Sequence, residues 1–177
     1  MPVTINGSAG VTTNTGAVYD SIQRATAQTA SGSSVDFTSI PSWVRRITVT
    51  MTDISFAAAG AARIRLGTSG GLVTTGYLGS TYAFVSTPTI TATALSSSPE
   101  GIAAIATTSG TSTVFGQFII VNMTGNTWQC NGAISRTGDG ATNTSIGSIA
   151  LSGTLDRLSL VATTSTFDAG TINILYE

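Results

Sequence analysis

Histidine and lysine are absent from this chain of 177 residues, and cysteine occurs once. Each absence closes a chemistry. Without imidazole the commonest general base and the commonest metal ligand are missing, and with them the Ser-His-Asp and Cys-His mechanisms. Without an ε-amine there is neither a Schiff base nor a P-loop lysine. One cysteine makes no internal disulfide and no Cys-based zinc site. Charge is scarce too: Asp, Glu and Arg make up 8% of the residues, against ~25% in an average protein. A net charge of −1 and an isoelectric point near 5.2 exclude a basic nucleic-acid footprint. No apolar run reaches the ~20 residues that cross a membrane. Met1 to Gly10 carries no positive charge and no apolar stretch, so no secretory signal is expected there. For catalysis only carboxylates remain.

Hydroxyls take the place of charges. Thr occurs 32 times, Ser 22 and Gly 20, a β-rich and turn-rich composition. Hydrophobic residues are 41% of the chain and mean hydropathy is +0.32, so low charge does not mean disorder. A single domain of this length buries about 70% of its unfolded surface, enough for a true core.

The first 34 residues differ from the rest. Val3, Ile5, Val11 and Val18 are isolated among Gly, Ser, Thr and Asn, and Val18, Ile22 and Ala25 have a spacing compatible with one or two helical turns. Ala30 to Ser34 reads as a turn or linker. Residues 1–34 are therefore expected to be an extended attachment arm, with 35–177 the folded domain. From Val35 onward the period is two. Ile47, Val49 and Met51 alternate with Arg46, Thr48, Thr50 and Thr52. Ala62, Ile64 and Leu66 alternate with Arg63 and Arg65, and Leu158 and Leu160 with Arg157 and Ser159. Gly-, Pro- and Ser-rich turns separate these segments. The expected fold is an all-β antiparallel sandwich of jelly-roll winding.

Val114 to Met123 breaks the alternation. Phe115, Ile119, Val121 and Met123 share one face, and Val114, Phe118 and Ile120 the other. Both faces are apolar, where an antiparallel strand usually has one wet face. Either long loops cover a central strand or one face meets another chain. The second reading makes Phe118 and Ile120 candidate subunit contacts and the protein a closed oligomer, with a trimer expected. In the next segment Trp128, Cys130 and Ile134 share a face, which makes Cys130 a small buried hydrophobe.

Candidate chemistry is thin. Asp36, Asp139, Asp156 and Asp168 could supply a carboxylate pair, which a glycosidase needs about 5–10 Å apart, but no spacing joins them, and Asp139 and Asp168 read as turn formers. The run Asp139 to Asn143 lacks the alternating acids of a calcium loop. No enzyme activity, metal or cofactor is expected. Trp43, Tyr77, Tyr82 and Trp128 are candidate sugar-stacking aromatics, with packing the commoner role. Arg63 and Arg65 share an outward face, either solvated or clamping carboxylates of a neighbouring subunit.

Four stretches carry a resemblance. Val35 to Val49, Arg63 to Gly67 with Gly71 to Tyr77, Phe167 to Glu177, and the opening Val3 to Ser8 resemble segments of bacteriophage virion structural proteins. The resemblance implies a capsid decoration (cement) protein, a head fibre or a small tail-fibre module, usually oligomeric and without catalytic residues. The chain is short for a fibre with a shaft, which favours decoration of the capsid surface. Partners would then be further copies of itself and the major capsid protein or another virion protein, not nucleic acid or a membrane. Val3, Ile5, Val11, Val18, Tyr19 and Ile22 of the arm would make the contacts, with Arg63, Arg65, Phe118 and Ile120. The alternative is a tail-fibre module that recognises host glycans.

Overall fold

Period-two alternation is realised as strands throughout. The structure is a computed structural model, described over residues 4–6, 10–12, 22–85, 90–94, 100–107 and 109–177, and among these no helix occurs. The strands are β1 (Thr4–Asn6), β2 (Gly10–Thr12), β3 (Gln23–Arg24), β4 (Gln28–Thr29), β5 (Ser34–Phe37), β6 (Arg46–Phe56), β7 (Ala61–Thr68) and β8 (Gly71–Leu72). They continue with β9 (Leu78–Phe84), β10 (Ile90–Ala94), β11 (Ala103–Ala106), β12 (Val114–Thr124), β13 (Thr127–Arg136), β14 (Thr142–Ala150), β15 (Arg157–Thr164) and β16 (Phe167–Tyr176).

Two antiparallel sheets form the sandwich. The larger runs β10-β9-β14-β13-β12-β6-β16, with β3 and β4 both pairing β16; the smaller runs β11-β7-β15-β5, with β8 on β7. β1 and β2 pair as a separate hairpin. The long-range pairs β6–β16 and β7–β15 are nested, as jelly-roll winding requires, whereas β12, β13 and β14 lie side by side as a meander. This order makes an antiparallel two-sheet sandwich.

Alternation decides what each sheet buries. Ile47, Val49 and Met51 of β6, Phe118 and Ile120 of β12, Cys130 and Ile134 of β13, and Ile172 and Ile174 of β16 point inward. They share one core with Ile64 and Leu66 of β7, Leu158 and Leu160 of β15, and Val35 and Phe37 of β5. Each fully buried aliphatic or aromatic side chain contributes ~1.5–3 kcal/mol.

Residues 23–34, read from the sequence as part of the arm, are built into the sandwich: 23–32 run along β16 of the larger sheet, and Ser33 and Ser34 pair with β15 of the smaller. The N–H of Ala25 donates to Ile174 O at 3.0 Å, that of Ala30 to Gly170 O at 2.9 Å, and Gly32 exchanges bonds with Phe167. Ala30 is fully buried. Nor is the stretch from Ile22 to Ala27 helical; it is extended, with Gln23–Arg24 in β3. Backbone hydrogen bonds and one small side chain hold this edge, so side-chain periodicity could not reveal it. Val3, Val18 and Tyr19 lie outside the described residues. Ile5 and Val11 are register partners in the β1–β2 hairpin.

The sheets approach most closely where β14 meets the start of β11. Ser145 Oγ accepts the N–H of Ala104 at 3.2 Å and shares a hydrogen bond with Thr81 Oγ1 at 2.8 Å. Two residues on, a Cβ at Gly147 would stand 2.0 Å from the carbonyl oxygen of Ile102, so only glycine allows this approach. Gly147→Ala should destabilise the protein by ~1–3 kcal/mol through overpacking. Urea unfolding checks this, as a lower midpoint at unchanged slope.

Candidate functional site

The outer face of the larger sheet is the most distinctive surface. Cross-strand register sets side chains in rows along it. One row runs Leu175, Thr48, Ile119, Asn131, Ile146, Ser80. A second runs Asn173, Thr50, Gln117, Ala133, Thr144, Tyr82. On the β12 side of the sheet, Phe115, Ser135, Thr142 and Phe84 form a third row, and Val121, Gln129, Ser148 and Leu78 a fourth. None of these positions carries a charge. Charges stand only at the ends of these rows: Arg24 continues the first beside Leu175, and Arg46 continues the fourth beside Val121 and pairs with Glu177 at 2.9 Å.

Large apolar side chains stand open on this face. Leu78 is 62% exposed, Ile146 61%, Met123 55%, Phe84 47%, Phe115 46% and Tyr82 41%. Leu78, Val121, Met123 and Ile146 line a shallow groove of about 500 Å³ whose floor is Gly79 and Gly147. Exposed apolar groups in contiguous rows mark contact surfaces more often than single scattered residues do.

The sequence-derived contacts are placed differently. Phe118 and Ile120 are fully buried in the core, so they are not subunit contacts. The reason is phase: register puts Phe118 beside Val49 and Ile120 beside Ile47, both inward. The open apolar face of β12 is the other one. Gln117, mid-strand and in phase with Phe115 and Ile119, was the signal that distinguished the two. Leu78 and Ile146 were missed because no apolar residue stands two positions away from either, so neither forms part of an alternating apolar pattern. Ile22 is 57% exposed and lines a cleft with Thr48, Thr50 and Gln117, at the margin of the same face.

Arg63 and Arg65 lie on the other sheet and are half-covered by their own chain. Arg65 Nε donates to Glu100 O at 2.7 Å, and Arg63 Nη1 to Ala62 O at 3.2 Å. Burial pushes the Arg63 guanidinium pKa down, against the raising effect of Glu100, while Arg65 pushes it further down.

Of the candidate stacking aromatics, Tyr77 has no face to offer a glycan, being 1% exposed. Its hydroxyl accepts the N–H of Leu66 at 2.9 Å and donates to Val73 O at 2.9 Å. Burial raises the phenol pKa to about 12, against the lowering by Leu66. Trp43 is 46% exposed, and its ring centroid lies 5.9 Å from that of Tyr176. Tyr82 stands open on the outer sheet face.

The carboxylates are occupied one by one. Asp36 accepts from Ser34, Asp168 from Ser55, Asp156 from its neighbour Arg157, and Asp139 from Arg136. These hydrogen bonds draw each acid to a different local partner, and none joins two acids. Cys130 is 2% exposed, and burial pushes its thiol to about 12, so it carries no thiolate at neutral pH.

Comparison of the chain with protein-family models, with curated proteins and with solved structures finds no match.

Two stability experiments follow from these buried polar groups. Tyr77→Phe leaves the Leu66 N–H without its acceptor and should cost ~1–3 kcal/mol in urea unfolding. The Arg136 hydrogen bond holds the Asp139 carboxyl below the usual carboxylate range; burial opposes this and the Ala141 N–H adds to it. A depressed folded-state pKa stabilises above the unfolded value and is lost as pH falls through the folded one. Asp139→Asn should therefore be less stable than the parent at neutral pH, by about 1 kcal/mol or less because the carboxyl is screened by solvent. The gap should close as pH drops below ~4, which unfolding curves collected across pH would register.

Proposed function

We propose that the protein acts by contact: it is a structural component of a bacteriophage virion, a capsid decoration protein that binds the head surface and bridges capsomers. The observation that carries this reading is the outer face of the larger sheet, broad, free of charge in its middle with Arg24 and Arg46 at its edge, and studded with open Leu78, Phe115, Met123 and Ile146. The resemblance of four segments to virion proteins supports the choice of particle, and the individually engaged carboxylates support a role without chemistry.

The physics of such a contact is simple. Each exposed Leu, Ile, Met or Phe that becomes buried adds ~1.5–3 kcal/mol of association energy, which resists outward pressure on the shell. Hydroxyls of Thr and Ser fill the space between them with short, adaptable hydrogen-bonding groups. A contact with so little charge is less screened by salt than an ionic cement. In this reading the protein is a closed homo-oligomer, a trimer, and each copy turns its uncharged face to the capsid protein.

The second reading, a tail-fibre module for host glycans, draws on Tyr82 and Trp43, aromatic and open. One experiment separates the two. Purified protein is sedimented with isolated heads and with isolated tails of the phage that carries the chain, at low and high salt. Retention on heads at both salts is the expected result; retention on tails alone supports the fibre reading, and retention on neither removes both. Ile146→Asp and Leu78→Asp should each weaken head binding about tenfold or more, because a charge would be desolvated. Both positions are exposed, so unfolding stability should change by no more than about 0.5 kcal/mol.

A further inference from the structure

A second surface lies at one end of the sandwich. The segment Pro41–Arg45 ahead of β6, the β12–β13 turn and Thr154–Leu155 ahead of β15 enclose a cleft of about 290 Å³. Its lining is mostly polar and includes Ser42, Arg45, Asn122, Asn126, Trp128 and Thr154, with no acid.

Two residues of this lining have donors without an acceptor among the described residues. Trp128 is 3% exposed, and its buried indole N–H has no hydrogen-bond partner among the described residues. Such an orphan donor is unusual, because leaving it unmet costs ~1–3 kcal/mol. Arg45 is held in place by one nitrogen: Nη1 donates to Ser42 O at 3.1 Å and to Val44 O at 2.9 Å. It forms no ion pair among the described residues, although Arg46, Arg136 and Arg157 all do. The cleft thus combines an unpaired cation, an unmet N–H, two hydroxyls and two amides.

We infer that this cleft binds one unit of an acidic saccharide. A carboxylate matches the Arg45 guanidinium, the strongest form of such a contact. An oxygen of the sugar accepts the Trp128 N–H. Its hydroxyls, both donors and acceptors, pair with Ser42, Thr154 and the Asn126 amide, which also do both, and with the Oδ1 of Asn122, whose Nδ2 already donates to Gly125 O and Thr127 O. The volume is near the low end of the ~300–1,000 Å³ of ligand sites, which suits a single sugar ring. The inference stands apart from the head-binding reading, since the cleft and the outer sheet face share none of the residues invoked for either.

The test uses D-glucuronate, D-galacturonate and N-acetylneuraminate as probes, with glucose and acetate as controls. The chain has two tryptophans, so the indole N–H region of an ¹H–¹⁵N spectrum has one signal each for Trp43 and Trp128. At least one acidic sugar should shift the Trp128 signal saturably, while equal glucose or acetate should not. Arg45→Gln should weaken that binding about tenfold or more without moving the unfolding midpoint. Trp128→Phe, which keeps the ring and loses the N–H, should weaken it as well. The inference is overturned if no acidic sugar shifts Trp128, if acetate does so as well as the sugars, or if Arg45→Gln binds unchanged.

Discussion

The apposition of β14 on β11 is the contact from which the rest of the sandwich takes its geometry. At this point polar groups join the two sheets. Ser145 Oγ meets the Ala104 backbone, and Arg136, at the end of β13, sends Nη1 to Ala106 O at 2.9 Å. Gly147 lets the Ile102 carbonyl approach. Together these bonds fix which side of β14 is inside. A strand with period two has no intermediate choice: if Ser145 and Gly147 face inward, Ile146 and Thr144 face outward. The open apolar side chain at the centre of the outer face is therefore a consequence of polar bonds on the inner one.

The shortage of charge shapes what each surface can do. Most chains keep a sheet's outer face soluble with Lys and Glu. Here Thr, Ser, Asn and Gln do that work, and the few charges go to structural posts. Arg136, 7% exposed, is satisfied by Asp139 and by the Ala106 carbonyl. Arg157 is held by Asp156, and Arg46 by Glu177 at the end of the larger sheet. With its ion pairs placed at the margins, the middle of the outer face is free of fixed charge. It can meet another protein surface without stripping water from an ion, the step that makes most charged interfaces costly.

Much of the fold was legible because alternation is a strong signal on a half-buried strand. Ile47, Val49 and Met51 turn inward as their spacing requires, as do Ile64 with Leu66 and Leu158 with Leu160. Cys130 is buried with Trp128 and Ile134 as predicted. The failures have specific causes. Val114–Met123 is apolar on both faces, so its phase rests on the single polar Gln117, and register against β6 places Phe118 and Ile120 in the core. The edge formed by β3 and β4 is held by main-chain bonds, which leave no trace in side-chain type. Tyr77 sits in a loop-like stretch, yet its hydroxyl ties that loop to β7, a long-range bond that no local pattern encodes. The unmet N–H of Trp128 was invisible for the same reason: its environment comes from three segments far apart in sequence.

The two surfaces differ in how they would hold a partner, and the difference follows from where each sits. The outer face is made of strand interiors, whose side-chain positions are locked by cross-strand neighbours. Such a face is flat and repetitive, and suits broad contact with another folded surface. The end cleft is made where three connections converge: the approach to β6, the β12–β13 turn and the approach to β15. Connections can turn main-chain and side-chain donors toward one point, which strands cannot, because alternate residues always diverge. That is why an unmet indole N–H and an unpaired guanidinium occur together at the end of the sandwich and not on its face. Area for adhesion and convergence for recognition are thus separate products of one β-sandwich, and a chain without imidazole or amine groups can have both.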